Sequence, residues 1–322
     1  MYTVVITAPV HPDALLLLGR RSDLVTVRQL TDLGPEGISR GVTGADAILV
    51  RTQLLPREVL ELAPDLRIVS RSGVGTDNVD VAHLTVRKIP MAISIDANVI
   101  SVAEHALMLM LGLSKQLLAA DEATRNGNFG PWRERRIPTD LAGKTVLIAG
   151  FGRIGRRLGE LCVAIGMKVI AYDPFLSSSP VSGVSLVGDL KKTLPECDFV
   201  SLHLPLDPET RNLIGAAEFA GMKNTAFLIN AARGGIVDED ALDEALNKGE
   251  IAGAGLDVFA HEPPDGKHPL MQNKKVYLTP HSAAFSEEAF ARMGIQAAQN
   301  ILDCLEGKLQ ARVVVNGKDI GM

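Results

Sequence analysis

The 322-residue chain predicts an α/β protein of two doubly wound parallel-sheet domains. Two observations carry this. Short β-rich apolar runs alternate with stretches of helical period along almost the whole chain, and glycine, proline or polar residues bound each run. The length is a prior for two separate cores. In order, the runs are VVIT, AILVR, RIVSRSG, TVLIAG, KVIAYD, FVSLHL, AFLINA, GAGLDVF and KVYLTP. The alternation makes the sheets parallel, and such sheets place ligands at the carboxyl ends of their strands.

The longest helical pattern, NVISVAEHALMLMLGLSKQLLAADEAT, starts at Asn98 and separates a first strand group from a second that begins at Thr145. A second long helix, SEEAFARMGIQAAQNILDCLEG, follows the last strong strand, and a closing ARVVV is expected to return to the first domain. Residues 1–98 and 286–322 therefore read as one discontinuous domain, with 99–285 inserted as another. Composition narrows the class. A net charge of −5 leaves no basic surplus for nucleic acid or an anionic membrane surface. No apolar run reaches bilayer-spanning length, and MYTVVITAPV reads as a first strand. Cys162, Cys197 and Cys304 lack metal-type spacing and suit a reducing compartment, so a cytoplasmic protein without a metal is expected.

The most specific local signal is TVLIAGFGRIGRRLGELCVAIGMKVIAYD. Gly150, Gly152 and Gly155 form G-x-G-x-x-G directly after an apolar strand and at the opening of a helix. The first glycine makes the tight turn, the second admits a pyrophosphate to the backbone, and the third lets helix and strand pack closely. Helix N-terminal amides meet the phosphate charge, and Arg153 within the turn is placed to touch it. Asp173 closes the next strand 18 residues after Gly155. A carboxylate there takes the ribose hydroxyls and repels a 2′-phosphate, which makes the cofactor NAD and the inserted domain a Rossmann domain. Arg156 and Arg157 read as a solvated helix face, and Cys162 as a small core residue.

Three later segments end strands with charged or titratable residues: Arg233 in NAARGG, Asp257 and Glu262 in GLDVFAHEPP, and His281 in LTPHSAAFS. Together they supply a cation, a carboxylate and an imidazole beside a bound nicotinamide. Oxidising a 2-hydroxy acid needs a base for the hydroxyl proton, a carboxylate to orient that base, and a cation for the substrate carboxylate. Taken singly, each residue also fits a structural role. His261 competes with His281 as the base, His105 reads as packed or capped within an apolar helix, and His203 is expected to face the adenine side of the cofactor.

In these residues the chain resembles the NAD-dependent D-2-hydroxyacid dehydrogenase family, along SRSGVGTDNVD, SVAEHALMLML, GFGRIGRRLGE, HLPLDPETRNLI, INAARGGIVDEDAL, AGLDVFAHEPP and TPHSAAFSEEA. The resemblance implies a homodimer of two-domain subunits, with a flavodoxin-like substrate domain and an active site between the domains. It makes Arg233 the substrate-binding arginine, His281 the acid/base and Glu262 its partner. It assigns Gly150, Gly152, Arg153, Ile154, Gly155, Asp173, Pro174, His203, Pro205, Ala231, Asp257 and Val102 to the cofactor. The backbone of Val74 and Gly75 matches the loop that receives the substrate carboxylate, with Asn78 and Asp80 as turn and cap. Ala283 stands where many members carry glycine. Arg51 and Arg71 resemble positions that bind phosphate in 3-phosphoglycerate dehydrogenases, and Arg133, Arg135 and Arg136 are further candidates. The pattern favours a short 3-phosphoglycerate-dehydrogenase-like enzyme without the C-terminal regulatory domain. A glyoxylate or hydroxypyruvate reductase, or a dehydrogenase of another acidic 2-hydroxy acid, is the alternative, and an NAD-sensing corepressor-like binding protein the remote one.

Overall fold

The computed structural model describes residues 1–135 and 137–322, the Arg135 side chain excepted. Among the described residues the strands are β1 Tyr2–Ile6, β2 Val25–Gln29, β3 Ala47–Val50, β4 Ile68–Arg71, β5 Met91–Ile93, β6 Thr145–Ala149, β7 Lys168–Tyr172, β8 Val184–Val187, β9 Phe199–Leu202, β10 Phe227–Asn230, β11 Gly253–Leu256 and β12 Val276–Leu278. The chain divides into two compact units, Met1–Asn98 with Ala284–Met322, and Val99–Ala283. Each contains one wholly parallel sheet.

In the first unit the strand order is β2-β1-β3-β4-β5. This is the flavodoxin-type order, with its reversal between β1 and β3. Every residue of β3, Ala-Ile-Leu-Val, is fully buried, as a parallel strand covered on both faces requires. Each large side chain there contributes about 1.5–3 kcal/mol of burial. The helix Glu287–Leu305 packs Ala297, Ala298, Ile301 and Leu302 into the core containing Val4, Ile6, Ala47 and Leu49. ARVVV does return to this unit, as the 3₁₀ turn Ala311–Val313 and a single antiparallel bridge from Val314 to Ala92.

The second unit has the order β12-β11-β10-β9-β6-β7-β8. Six of these strands reproduce the dinucleotide-binding order, reversing between β6 and β9, and β12 extends it by one. The short strands β2, β5 and β8 are absent from the sequence reading: β2 and β8 mix polar and apolar residues, and the three apolar residues of β5 are too few to show a period. The long helical pattern after Asn98 also differs from expectation. It forms two helices, Val99–Ser114 and Leu117–Arg125, broken at Gln116, whose φ is +53°. The Tyr277 hydroxyl accepts from the Leu118 amide at 3.1 Å and satisfies the N-terminus of the second helix. The first helix crosses β11 closely. A Cβ at Gly255 would lie 3.0 Å from Leu109 Cβ, so the glycines of GAGL set the helix-to-sheet distance.

Candidate active site

The dinucleotide turn forms as its glycines predict. Gly150 has φ +90°, and a Cβ on it would lie 2.4 Å from the His203 carbonyl oxygen. Gly155 leaves no room either, with the Gly150 carbonyl oxygen 2.2 Å from its would-be Cβ. Gly152 faces open space, so a phosphate can reach the backbone at the start of the helix Arg153–Ala164. Asp173 accepts from the Phe151 amide at 2.9 Å through Oδ2 and from the Phe175 amide at 3.0 Å through Oδ1. Each oxygen keeps a lone pair for a ribose hydroxyl. These features fit a dinucleotide. Ile154 and Ala231 are partly buried beside the turn and at the end of β10, while Pro174 and Pro205 are exposed. Val102 is almost wholly buried in the helix Val99–Ser114. Arg156 is half-buried, and its Nε donates to the Phe151 carbonyl at 2.9 Å and braces the turn.

His203 follows β9. Its Nε2 pairs with Ser201 Oγ at 2.9 Å, Nδ1 has no partner among the described residues, and burial pushes its pKa down to about 4. It is a neutral imidazole with one nitrogen open. Cys162 lies in the core, where burial raises its thiol to about 12, so it carries no reactive thiolate.

Arg233, Glu262 and His281 follow β10, β11 and β12, three neighbouring strands. The Arg233 loop is held by Asn230, which is almost wholly buried. Its Oδ1 accepts from the Ala232 amide at 3.1 Å, and its Nδ2 donates to the Arg233 carbonyl at 2.9 Å. Gly234 lies against the backbone of the next loop, where a Cβ would come within 1.8 Å of the Phe259 carbonyl oxygen. Gly234 therefore serves loop-to-loop packing, while Gly235 takes a left-handed φ of +78°. That packing places Glu262, whose Oε1 accepts from the Phe259 amide at 3.1 Å. Its Oε2 meets His281 Nδ1 at 2.6 Å, leaving Nε2 of the exposed imidazole without a partner among the described residues. With Nδ1 protonated toward Glu262, Nε2 carries the lone pair of a general base. His261 is exposed, and Glu262 is bonded to His281 instead.

Asp257 organises the loop that carries His281. Its side chain is fully buried, with Oδ1 accepting from Thr279 Oγ1 at 2.6 Å and the Ser282 amide at 2.8 Å, and Oδ2 from the Ala283 amide at 2.8 Å. It offers no exposed oxygen to a nicotinamide. Its carbonyl also accepts from the His281 amide at 2.8 Å. These four bonds hold His281 at φ +52°, a left-handed conformation that costs a non-glycine residue about 1–2 kcal/mol. His105 Nε2 reaches Thr279 Oγ1 at 2.9 Å, and burial lowers the His105 pKa against an opposing pull from Asp257. Sequence reasoning missed Asn230 and Thr279; the available signal was a polar residue at the end of an apolar strand.

In the first unit, Asp80 caps the helix Val81–Val86 and accepts from the His83 amide at 2.8 Å, and Asn78 Nδ2 donates to the Gln53 carbonyl at 2.8 Å. Gly73 makes room for a protein side chain, since a Cβ there would meet Arg71 Nη1 at 2.7 Å. Arg71 Nε donates to the Arg51 carbonyl at 3.1 Å, while the Arg51 guanidinium lies over the rings of Phe285 and Phe290. Val74 and Gly75 follow on the partly buried turn after β4. Arg133 lies over Phe129 at 5.7 Å; Arg136 and the Arg135 side chain fall outside the described residues.

Strand order and glycine turn together define a dinucleotide-binding α/β protein. Residues 107–283 match the model of the D-isomer specific 2-hydroxyacid dehydrogenase, NAD binding domain, and the chain belongs to this family. It is 38% identical over 318 residues to the D-3-phosphoglycerate dehydrogenase of Methanocaldococcus jannaschii, covering 98% of this chain and 59% of the relative. It is 40% identical over 309 residues to that of Mycobacterium tuberculosis, covering 95% and 57%. The chain thus spans less than two thirds of the length of these relatives. A glyoxylate reductase structure from Paecilomyes thermophila superposes with a TM-score of 0.87 at 28% identity, covering 98% of this chain and 99% of that one.

Proposed function

We propose that the protein is an NAD-dependent D-2-hydroxyacid dehydrogenase acting on 3-phosphoglycerate or a closely similar acid. The observation that carries the reading is the 2.6 Å bond between His281 Nδ1 and Glu262 Oε2, with Nε2 left open on a loop after a dinucleotide-sheet strand. In the oxidative direction His281 Nε2 takes the C2 hydroxyl proton, and the C2 carbonyl forms as the C2 hydrogen leaves with its electron pair. NAD, when bound, accepts that hydride. Glu262 fixes the tautomer and stabilises the imidazolium, and Arg233 binds the substrate carboxylate. Arg51, Arg71, Val74 and Gly75 are assigned to substrate anions by family likeness. The names of the sequence relatives favour the phosphorylated acid, and the structural likeness to a glyoxylate reductase favours a smaller one.

NADH oxidation with phosphohydroxypyruvate, hydroxypyruvate and glyoxylate at matched concentrations decides between them. Preference for the first supports the phosphoglycerate reading, and preference for either smaller acid replaces it with the reductase. No turnover with any of the three refutes both. His281→Ala is expected to lower kcat by a factor on the order of a hundred or more, and near-normal turnover refutes the acid/base role.

A homodimer is part of this reading. Met108, Leu111, Leu117, Leu118 and Phe129, on three successive helices, expose apolar side chains of the kind that a second copy covers. No described helix is long and apolar enough to cross a membrane, and the three cysteines are free, which supports a cytoplasmic site of action.

A further inference from the structure

Arg51 differs from the other arginines near the strand ends. It follows β3 directly, and its guanidinium carbon lies 4.4 Å from the centroid of the Phe285 ring and 5.0 Å from that of Phe290. No carboxylate lies within ion-pair distance of it, and none of its side-chain N–H groups is hydrogen-bonded, among the described residues. Its backbone carbonyl is tied down by Arg71 Nε at 3.1 Å. Burial pushes the guanidinium pKa down, and no neighbouring acid opposes that shift. A half-buried cation without a counter-ion is costly unless a ligand supplies one.

Local sequence explains how the two rings come to be there. Ser286 caps the helix Glu287–Leu305, accepting from the Ala289 amide at 3.0 Å. Phe285 then precedes the cap and Phe290 is the fourth helical residue, the two positions of a hydrophobic staple. Here the Arg51 guanidinium lies over both staple residues. Phe290 is further held by the His11 ring, edge-on at 5.9 Å, while Phe285 is 60% exposed.

We propose that Phe285 and Phe290 are specificity-determining positioning residues, which hold Arg51 so that its free N–H edge receives a second anionic group of the substrate. The rings fix the cation by charge–quadrupole attraction and consume none of its donors. A guanidinium held in this way offers paired N–H groups to a phosphate or carboxylate oxygen pair, which a lysine ammonium cannot match. The inference rests on the 2-hydroxyacid dehydrogenase reading and adds to it how a doubly anionic acid is distinguished from a singly anionic one.

The test measures kcat and KM for phosphohydroxypyruvate and glyoxylate in Phe285→Ala, Phe290→Leu, the double variant, Phe285→Tyr and Arg51→Ala. Each ring substitution is expected to raise KM for the phosphorylated acid roughly two- to fivefold, and the double variant about tenfold. kcat and the glyoxylate KM should stay within error, Phe285→Tyr should restore the native KM, and the ring substitutions should add nothing in an Arg51→Ala background. Equal changes for both acids, or additive effects with Arg51→Ala, overturn the proposal. A second readout needs no turnover: inorganic phosphate binding to the NAD-saturated protein, by calorimetry. Binding lost in Arg51→Ala and weakened in the ring variants supports the anion edge even if none of the 2-oxo acids is reduced. Binding unchanged in those variants, or undetectable in the native protein, refutes it.

Discussion

Replacing Asp257 with asparagine removes half of the acceptor capacity that shapes the His281 loop. The carboxylate takes three side-chain-directed bonds, from Thr279 Oγ1 at 2.6 Å and the Ser282 and Ala283 amides at 2.8 Å. An asparagine can keep its oxygen toward Thr279 and Ser282, but its NH₂ then faces the Ala283 N–H, donor against donor. The opposite orientation turns the NH₂ against the Ser282 N–H instead. Either way at least one hydrogen bond to a charged acceptor is lost and one buried donor is orphaned, a cost of about 2–4 kcal/mol. For a unit of this size that corresponds to a fall of roughly 5–10 °C in its thermal transition. The same bonds hold His281 at φ +52°, so the imidazole should also lose its fixed approach to Glu262. Calorimetry and steady-state kinetics on the same preparation read both consequences, and a kcat fall of at least tenfold is expected. Thr279→Ser, which keeps the hydroxyl toward Asp257 and His105 and leaves both amides paired, should cost less in both. An Asp257→Asn variant with native melting and native kcat would refute the argument that this carboxylate shapes the loop.

Gly234→Ala places a Cβ 1.8 Å from the Phe259 carbonyl oxygen, so the loop bearing Glu262 must move. Turnover should fall by more than tenfold with a loss of about 2 kcal/mol or more in urea unfolding, and native values in both would contradict the packing. Asp173→Ala should weaken NAD binding and narrow its preference over NADP, which titrations with the two cofactors measure; an unchanged preference counts against the ribose contact. His203 supplies a pH dependence. Its folded pKa of about 4 lies below the ordinary 6.5, so its contribution to stability is complete above 6.5 and is lost as pH falls from there toward 4. That loss is about 2 kcal/mol at pH 5 relative to pH 8, and a His203→Asn variant should lack it when urea unfolding is compared at the two pH values.

The parts of this protein that the sequence determined by itself are those whose physics is local. The glycine turn after β6 is legible because Gly150, Gly152 and Gly155 act within six residues on one strand-to-helix junction. That Arg233, Glu262 and His281 follow strands is legible because each comes shortly after an apolar run, and strand ends in parallel sheets are where ligands meet the backbone. That Glu262 and His281 bond to each other was decided by the order of β10, β11 and β12, which brings loops from distant sequence side by side. The same holds for the features that depart from expectation. Gln116 breaks a helix whose apolar period runs on past it, and Tyr277, 159 residues from Leu118, accepts from the Leu118 amide at the new N-terminus. Arg156, read from the sequence as part of a solvated face, braces the glycine turn through the Phe151 carbonyl. Arg51 meets Phe285 and Phe290 only because the final helix packs onto the first sheet. Residue type and spacing specify what a side chain can do, but which groups share its surroundings depends on contacts between remote segments, and only the tertiary structure contains those.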